Sequence, residues 1–424
     1  MTIRLNGTTA SRPLRIGIFV HTFPRLSETF IVTKVLKMID AGFDVRIFTL
    51  AVSPDWDKFA VLADREDVRA RIHISPPLEV SPRSLAHGAM DVLRTAAAHP
   101  RAFARFTAHT WKHRREAPMR FWKSLYARTH FVGHELDVLH IEFDLQGLPF
   151  ADLKDLIGCR VLYSARGTLQ GFTADPKQTS TYLFRYVDGY HFISRFLEDN
   201  TRSLGLPPEI PTWRIEPAID LSLFQSKPRE ARNRTPLRLI SVGRLAWSKG
   251  YEFALEAIAK VRDAGIAVEY TIYGDGAYTE SILFAIEQLG LRDCVRLAGV
   301  LRREDMPRVY SDADLLIHAA VEEGFCNAVI EAQAMELAVV TSDSGGLPEN
   351  VADGETGYVV ARRDSTAMAN RIIELARAPE LRARFGRAGR VRALARFDLD
   401  RQAEAFVRLY RELAALPLRP ISDA

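Results

Sequence analysis

Four charged side chains follow apolar runs in the C-terminal half of the chain, and their types and spacing suit a sugar diphosphate. Arg244 and Lys249 lie in GRLAWSKG, directly after LRLISV, and Glu323 and Glu331 lie eight residues apart, after DLLIHA. Two cations beside a helix N-terminus can neutralise a diphosphate, because the helix dipole and the side chains act together. Carboxylates accept paired hydrogen bonds from the vicinal hydroxyls of a sugar or ribose. The pattern therefore favours a site that binds both groups.

Glycines accompany these charges. Gly243 permits a tight turn before Arg244, Gly274 begins GDGAYTES, and Gly345 and Gly346 lie in DSGGLPEN. Glycine lets the backbone approach a ligand closely, with N–H groups free for phosphate or sugar oxygens. Each motif alone is also typical of an ordinary loop: the two cations can be solvated, and GDG lacks the third glycine of a dinucleotide fingerprint.

The elements that must position these residues alternate in a regular way. LRIGIFV, DVRIFTL, DVLHIEF, RVLYSA and GYHFIS are predicted strands of the N-terminal half, and LRLISV, VEYTIY, CVRLAG, DLLIHA and AVVTS of the C-terminal half. Helical patterns separate them, which predicts an α/β fold with two doubly wound, mostly parallel sheets. Ligands of such sheets bind beyond the carboxyl ends of the strands, so two domains facing each other would enclose a cleft. Asn327 is expected to cap the helix that contains Glu331.

The domain bounds follow from composition. We expect an N-terminal domain over residues 1–215, with a basic helical insert at about 76–130, and a linker rich in proline, serine and charge over 216–236. The C-terminal domain is expected to span residues 237–395. A final helix over 396–424 carries one apolar face, formed by Phe406, Leu409, Tyr410 and Leu413.

Bulk properties exclude several classes of protein. An apolar fraction of 47% and a charged fraction of 26% are ordinary for a soluble protein. The three cysteines form no CxxC pair, so we expect neither a disulfide framework nor a cysteine metal site, and a reducing compartment. We expect no signal peptide and no transmembrane segment, since no stretch of about 18 apolar residues exists. A net charge of +4 suits an anionic ligand or membrane surface better than a nucleic acid.

Residues 101–128 are strongly basic, with Glu116 as the single acidic residue and aromatic side chains interleaved. One interpretation is a helical face that rests on anionic lipid or holds a lipid-linked acceptor. The alternative is a pair of solvated helices whose aromatic side chains pack on the domain.

The order of GRLAWSKG, GDG, EEGFCNAVIEAQAME and SGGLPENVADGETGYVV resembles family 4 of the retaining GT-B glycosyltransferases over most of residues 237–395. The resemblance implies that Arg244 and Lys249 hold the donor diphosphate, with Glu323 facing the donor sugar and Glu331 binding the ribose. Gly345, Gly346 and Leu347 would approach the sugar and phosphates, and the backbone around Val300 would contact the base. The same set of donor-binding residues includes Gly243, Gly274, Gly324, Phe325 and Asn327.

The N-terminal half resembles a narrower subgroup. FPRLSETFIVTKVL is similar to the opening of glycosyltransferases that build exopolysaccharides of the colanic-acid type, which places Ser27 and Glu28 on the acceptor side. The alternative is a helix cap followed by a solvated glutamate. Many family members carry a His-Gly pair where this chain has Arg166-Gly167. Arg166 stays protonated and cannot act as a base, but it can bind an anionic acceptor or phosphate. His140 and His21 are alternative substitutes, or else core and rim histidines.

The expected function is retaining transfer of a sugar, as by a hexosyltransferase, from a nucleotide sugar to a saccharide or lipid-linked acceptor of exopolysaccharide or lipopolysaccharide synthesis. We expect no cofactor and no metal, because Arg244 and Lys249 can neutralise the leaving diphosphate, and SDAD at 311–314 lacks other oxygen ligands nearby. The protein is expected to be cytoplasmic, with peripheral membrane contact through 101–128. The alternatives are a non-catalytic nucleotide-sugar-binding protein and an enzyme acting on a small soluble metabolite.

Overall fold

The structure is a computed structural model that describes residues 12–25, 28–75, 82–112, 125–143, 150–169, 173–226 and 233–420. The chain divides into two compact units. Unit 1 comprises Met1–His191, Thr201–Trp213 and Ala403–Ala424, and unit 2 comprises Phe192–Asn200 and Arg214–Gln402. Ser27 and residues 113–124 of the basic segment lie outside the described residues.

Seven strands form the sheet of unit 1: β1 Arg15–Phe23, β2 Asp44–Val52, β3 Ile72–Ile74, β4 Val138–Ile141, β5 Arg160–Ala165, β6 Gly189–Phe192 and β7 Thr212–Arg214. Their order is β3-β2-β1-β4-β5-β6-β7. The pairings of β1 with β2 and β4, of β2 with β3 and of β4 with β5 are parallel. The helices up to β7 are α1 Thr29–Asp40, α2 Glu66–Arg69, α3 Pro82–Ala98, α4 Pro100–Lys112, α5 Leu153–Ile157, α6 Pro176–Tyr186 and α7 Arg195–Ser203.

Unit 2 is built on a six-stranded sheet of β8 Leu237–Val242, β9 Val268–Tyr273, β10 Val295–Gly299, β11 Leu315–His318, β12 Ala338–Ser342 and β13 Gly357–Val360. The order is β10-β9-β8-β11-β12-β13, and every pairing is parallel. Its helices are α8 Tyr251–Asp263, α9 Thr279–Gln288, α10 Met306–Asp312, α11 Asn327–Ala334, α12 Leu347–Asn350, α13 Ser365–Arg377 and α14 Pro379–Arg396. The last helix, α15 Leu399–Ala415, contributes its residues from Ala403 onward to unit 1.

The predicted fold class is confirmed: each unit is an α/β body around a parallel sheet, of the Rossmann-like kind. Central strands are buried at nearly every position because helices cover both faces of such a sheet. β12 and β5 show this pattern, since AVVTS is buried at every position and RVLYSA at every position after its first. Among the described residues, no helix combines the length and the apolar character needed to cross a bilayer.

The structure differs from the sequence predictions at helix ends. Asn327 is the first residue of α11 and not its cap; Cys326 occupies the cap position and makes no side-chain cap hydrogen bond. The helical tail is interrupted at Phe397 and Asp398, where the Ile219 N–H donates to the Phe397 carbonyl oxygen (3.0 Å). Such breaks depend on tertiary partners and carry no local sequence signal.

The apolar face predicted for the final helix is confirmed by burial: Phe406, Leu409, Tyr410 and Leu413 are all at most 2% exposed. We expect Leu409→Ala to lower the free energy of unfolding by about 2–5 kcal/mol, because it leaves a cavity that the packed surroundings fill only in part. Denaturant titration of the full chain measures the change. Leu418→Ala is the matched control, since Leu418 is 48% exposed; equal losses in the two variants would contradict this account of the helix.

Candidate active site

The carboxylate of Glu323 lies between two basic side chains at the strand ends of unit 2. Its Oε2 atom accepts hydrogen bonds from the Lys249 ammonium and from Nε2 of His318, the latter at 3.0 Å. Lys249 follows β8, His318 ends β11, and Glu323 lies in the loop between β11 and α11. Neighbouring parallel strands therefore bring the three groups together at one edge of the sheet, as expected for a ligand site.

Burial and charge together set the protonation of this triad. Burial by itself would raise the pKa of Glu323, but the charge of Lys249 and the hydrogen bond from His318 lower it to about 2. Burial would lower the pKa of His318, but Cys326 and the hydrogen bond to Glu323 raise it to about 9. The pKa of Lys249 is raised as well, because Glu323 and Cys326 outweigh burial. At neutral pH the triad is thus one carboxylate between an ammonium and an imidazolium.

Arg244 adds a further positive charge. Its side chain is exposed in the loop after β8. The positive charge of Arg244 lowers the pKa of Lys249, so the two cations lie in one region. A 3-10 turn over Trp247–Lys249 places Lys249 directly before α8. The carbonyl oxygen of Ser248 accepts from the N–H groups of Val321 (2.8 Å) and Glu322 (3.2 Å), which ties the β8 loop to the β11 loop.

A glycine turn after β12 lies against the loop that holds Glu323. The Gly346 N–H donates to the Glu323 carbonyl oxygen (2.9 Å). A Cβ atom on Gly345, whose φ is +54°, would overlap that oxygen, and one on Gly346 would overlap the Gly324 carbonyl oxygen. Only glycine permits this approach, so the pair fixes the backbone beside the triad.

Glu331 lies one turn inside α11 and has a different environment. The Tyr310 hydroxyl donates to its Oε2 atom at 2.8 Å. Burial raises the pKa of Glu331 to about 7, although Tyr310 and Arg303 act in the opposite direction. Near neutral pH both forms of this carboxyl group are populated, and the ionised form can accept hydrogen bonds from a diol.

Asn350, which sequence reasoning missed, holds the start of α11. Its side chain accepts from the Cys326 N–H and donates to the Cys326 carbonyl oxygen, both at 3.2 Å. His318 and Tyr310 were missed as well. His318 lies in the apolar run DLLIHA, and the turn after β11 brings its side chain close to Glu323. The signal in the sequence could have been the two basic residues, Lys249 and His318, that accompany the acidic Glu323.

The other predicted donor-binding residues are placed as follows. Phe325 and Leu347 are buried, and the Phe325 ring packs edge-on against Phe397 with centroids 5.8 Å apart. Val300 is 65% exposed in the loop after β10. Gly243 and Gly274 lie at the ends of β8 and β9, where a Cβ on Gly274 would overlap the Gly243 carbonyl oxygen. The donor-binding roles of these residues remain predictions.

In unit 1, Arg166 and Glu28, two of the predicted acceptor-side residues, take part in ion pairs. Arg166 binds Glu142 twice, from Nη2 to Oε2 (2.7 Å) and from Nε to the carbonyl oxygen (3.1 Å). Lys34 pairs with the same carboxylate. The Arg166 guanidinium lies 4.2 Å from the Phe30 ring centroid, and burial lowers its pKa to about 10, so it stays protonated at neutral pH. Glu28 precedes α1, where its carboxylate is 3.4 Å from Arg25.

His140 and His21, the alternatives for the missing histidine, differ in burial. His140 is a fully buried residue of β4. It bonds through Nδ1 to the Tyr410 hydroxyl and through Nε2 to the Ser164 hydroxyl, both at 2.7 Å. It is therefore a satisfied core histidine. His21 is exposed at the end of β1.

The triad region also has the residue types of a metal site, since ligand atoms of His318, Glu323 and Cys326 lie within 4.8 Å of one another. A dication would have to displace the Lys249 ammonium and the proton of His318.

Comparison with known proteins finds similarity to glycosyltransferases. Residues 224–392, which include the triad and Glu331, match the family model of glycosyl transferases group 1. The chain is 27% identical over 388 residues to the putative colanic acid biosynthesis glycosyltransferase WcaL of Escherichia coli, covering 85% of this chain and 90% of WcaL. It is 27% identical over 380 residues to the amylovoran biosynthesis glycosyltransferase AmsK of Erwinia amylovora, with the same coverage.

Solved structures resemble the whole chain in fold. Anabaena Alr3699/HepE in complex with UDP-glucose superimposes with a TM-score of 0.72 at 16% identity, covering 94% of this chain and all of HepE. Sucrose-phosphate synthase from Thermosynechococcus elongatus gives a TM-score of 0.71 at 20% identity, covering 95% of this chain and 99% of that protein. These neighbours are GT-B glycosyltransferases, so the chain has the GT-B fold that its sequence predicts.

The pKa of His318 predicts a pH dependence of stability. Because the folded pKa (about 9) exceeds the value of 6.5 for an unperturbed histidine, the stabilisation is complete below pH 6.5 and is lost as pH rises through about 9. The loss amounts to about 3 kcal/mol at most. Unfolding titrations between pH 6 and pH 10 should show this slope in the parent protein and a smaller slope in His318→Gln. Parallel curves for the two proteins would contradict the imidazolium–carboxylate pair.

Proposed function

We propose that this chain is a retaining glycosyltransferase of bacterial exopolysaccharide or lipopolysaccharide synthesis, with a nucleotide diphosphate sugar as donor. The observation that carries the proposal is the placement of Lys249, His318 and Glu323 at adjoining strand ends, with Arg244 in the same region. Arg244 and Lys249 place positive charge beside these strand ends, which suits a diphosphate. The match to glycosyl transferases group 1 and the WcaL and AmsK relatives support the same assignment.

In the proposed reaction the bond between the anomeric carbon and the diphosphate oxygen breaks first. Negative charge develops on the leaving diphosphate and is neutralised by Arg244 and Lys249. The Lys249 side chain needs no reorganisation, because Glu323 already positions it. The acceptor hydroxyl forms its bond to the anomeric carbon on the same face of the sugar. Its proton passes to an oxygen of the leaving diphosphate. Glu323 orients the donor sugar, and Glu331 accepts the ribose hydroxyls.

The acceptor is proposed to be a saccharide or a lipid-linked saccharide, on the cytoplasmic side of the membrane. HepE was solved with UDP-glucose, and a UDP-hexose is accordingly the first donor to test. The basic segment 101–128 is proposed to touch anionic membrane. Arg101 and Arg105 of α4 are exposed, which supports that role for its described part.

Donor binding and turnover should both depend on Lys249. We expect one of the UDP-, GDP- or ADP-hexoses to raise the melting temperature of the parent protein, because a ligand that binds only the folded state stabilises it. With that donor, Lys249→Ala should lower kcat by about 10²–10³, since it removes a charge aimed at the leaving group. Product formation from the donor and an exopolysaccharide acceptor fraction gives the rate.

The matched control is Lys260→Ala, a lysine of unit 2 that bonds to Ser365 and Thr366, remote from the triad. It should keep the parent rate. Full transfer by Lys249→Ala would refute the assignment of Lys249, and donor binding without donor cleavage or transfer by the parent protein would favour the non-catalytic alternative.

The proposed mechanism needs no metal, because the cations of the site are side chains. Exhaustive treatment with EDTA should therefore leave the transfer rate unchanged, and added Mg²⁺ or Mn²⁺ should not raise it by more than about twofold. The measurement is the initial rate before and after chelation, with a metal-dependent glycosyltransferase as the positive control for the chelator. A loss of activity restored by one metal would overturn the metal-independent mechanism.

A further inference from the structure

A cavity of about 370 Å³ lies in unit 1, away from the strand ends that the proposed reaction uses. Its walls are the first turns of α4, the segment Phe131–Glu135 that precedes β4, and the end of α5, which precedes β5. The cavity is thus at the amino ends of β4 and β5. Ligands of parallel sheets bind at the carboxyl ends, so the chemistry of this cavity needs a separate explanation.

Two arginines give the cavity its charge. Arg101 and Arg105 are one turn apart on α4 and line the same side. Both are exposed, and neither has a carboxylate partner among the residues that the structure describes. The acidic residue on the rim, Glu135, pairs with Arg15. The guanidinium charges therefore remain available to an anion, and planar guanidinium groups match phosphoryl oxygens in geometry.

His134 and His99 form the adjoining wall. Nδ1 of His134 accepts from Arg46 at 2.8 Å, and burial, assisted by His73, Arg46 and His99, lowers the pKa of His134 to about 3. The imidazole is neutral, so its proton lies on Nε2, which makes that atom a donor. Gly133 has a φ of +85°, and a Cβ there would overlap the His99 ring, so this glycine lets His99 lie against the loop.

The first turn of α4 adds a second source of positive potential. Pro100, Arg101 and Ala102 line the cavity, and the helix has 13 residues. Pro100 has no N–H, but the N–H groups of Arg101 and Ala102 lie in the first turn, where intrahelical partners are lacking, and the helix dipole favours an anion there. Leu156 and Ile157 add apolar side chains to the lining, which suits the carbon skeleton of an ester better than a bare ion.

We propose that this cavity binds the phosphoryl group of a phosphomonoester, held by Arg101, Arg105 and the first turn of α4. The inference does not depend on the proposed transfer activity, because the cavity shares no residue with the donor site. The same chemistry is found in a soluble sugar phosphate and in the headgroup of phosphatidic acid, so the experiment has one arm for each source.

The first arm titrates α-D-glucose 1-phosphate into the full-length protein by calorimetry at low salt. Arg244→Ala and Lys249→Ala are present in every sample, so that the donor site does not contribute to the heat. On this background, Arg101→Ala with Arg105→Ala should weaken binding at least about tenfold, the loss expected for charge-assisted hydrogen bonds. The control pair Arg94→Ala with Arg408→Ala removes two exposed arginines of the same unit and should change the affinity less than twofold.

The second arm measures sedimentation with phosphatidylcholine vesicles that contain or lack phosphatidic acid. Binding that requires phosphatidic acid and falls only in the Arg101 and Arg105 variant identifies a lipid headgroup as the source. Arginine-dependent binding of glucose 1-phosphate identifies a soluble ester; either result supports the site. Absence of binding in both arms, or equal losses in the two paired variants, overturns the proposal. Circular dichroism of each variant confirms that α4 is retained, as expected for alanine in an exposed helix.

Discussion

The carboxylate of Glu323 and its two basic neighbours constrain the chemistry of unit 2. A buried carboxylate without partners would take up a proton. Lys249 and His318 lower the pKa of Glu323, while Glu323 together with Cys326 raises the pKa values of His318 and Lys249 against the effect of burial. The Gly346 N–H, bound to the carbonyl oxygen of the same glutamate, extends this dependence to the turn after β12. One residue thus links three strand ends.

The strands and the charged loop residues of unit 2 could be predicted from the sequence, whereas two of the side chains that hold the site together could not. The strands LRLISV, VEYTIY and AVVTS have the predicted bounds because each is an apolar-rich run with at least one buried face and turn residues follow. Arg244, Lys249 and Glu323 are identifiable because loops after parallel strands meet at one edge. His318 was missed because a histidine inside DLLIHA follows the apolar pattern of the strand. Asn350 was missed because its partner, Cys326, is 24 residues away, and no local pattern reports such a pairing.

The environment of Arg166 changes the role that its sequence position suggests. On sequence it is a cation that can bind an anionic acceptor or phosphate. In the structure both Arg166 and Lys34 bind Glu142, and Phe30 covers the guanidinium. Most of the charge of Arg166 is therefore already compensated, and its stacking and its bond to the Glu142 carbonyl oxygen order the ends of β4 and β5. A hydrogen-bonding role toward an acceptor suits this environment better than recognition of an anion.

The distribution of uncompensated charge then differs between the two units. In unit 2 the cations exceed the carboxylate at the carboxyl ends of the strands, where a diphosphate would meet them. In unit 1 Arg166 and Lys34 share the Glu142 carboxylate at the carboxyl ends of the strands, and Arg101 and Arg105, which have no carboxylate partner among the described residues, lie at the opposite edge of the sheet. Because unpaired charge in a shaped cavity is what recognises an anion, the two units differ in where an anion would bind: at the carboxyl edge in unit 2 and at the amino edge in unit 1.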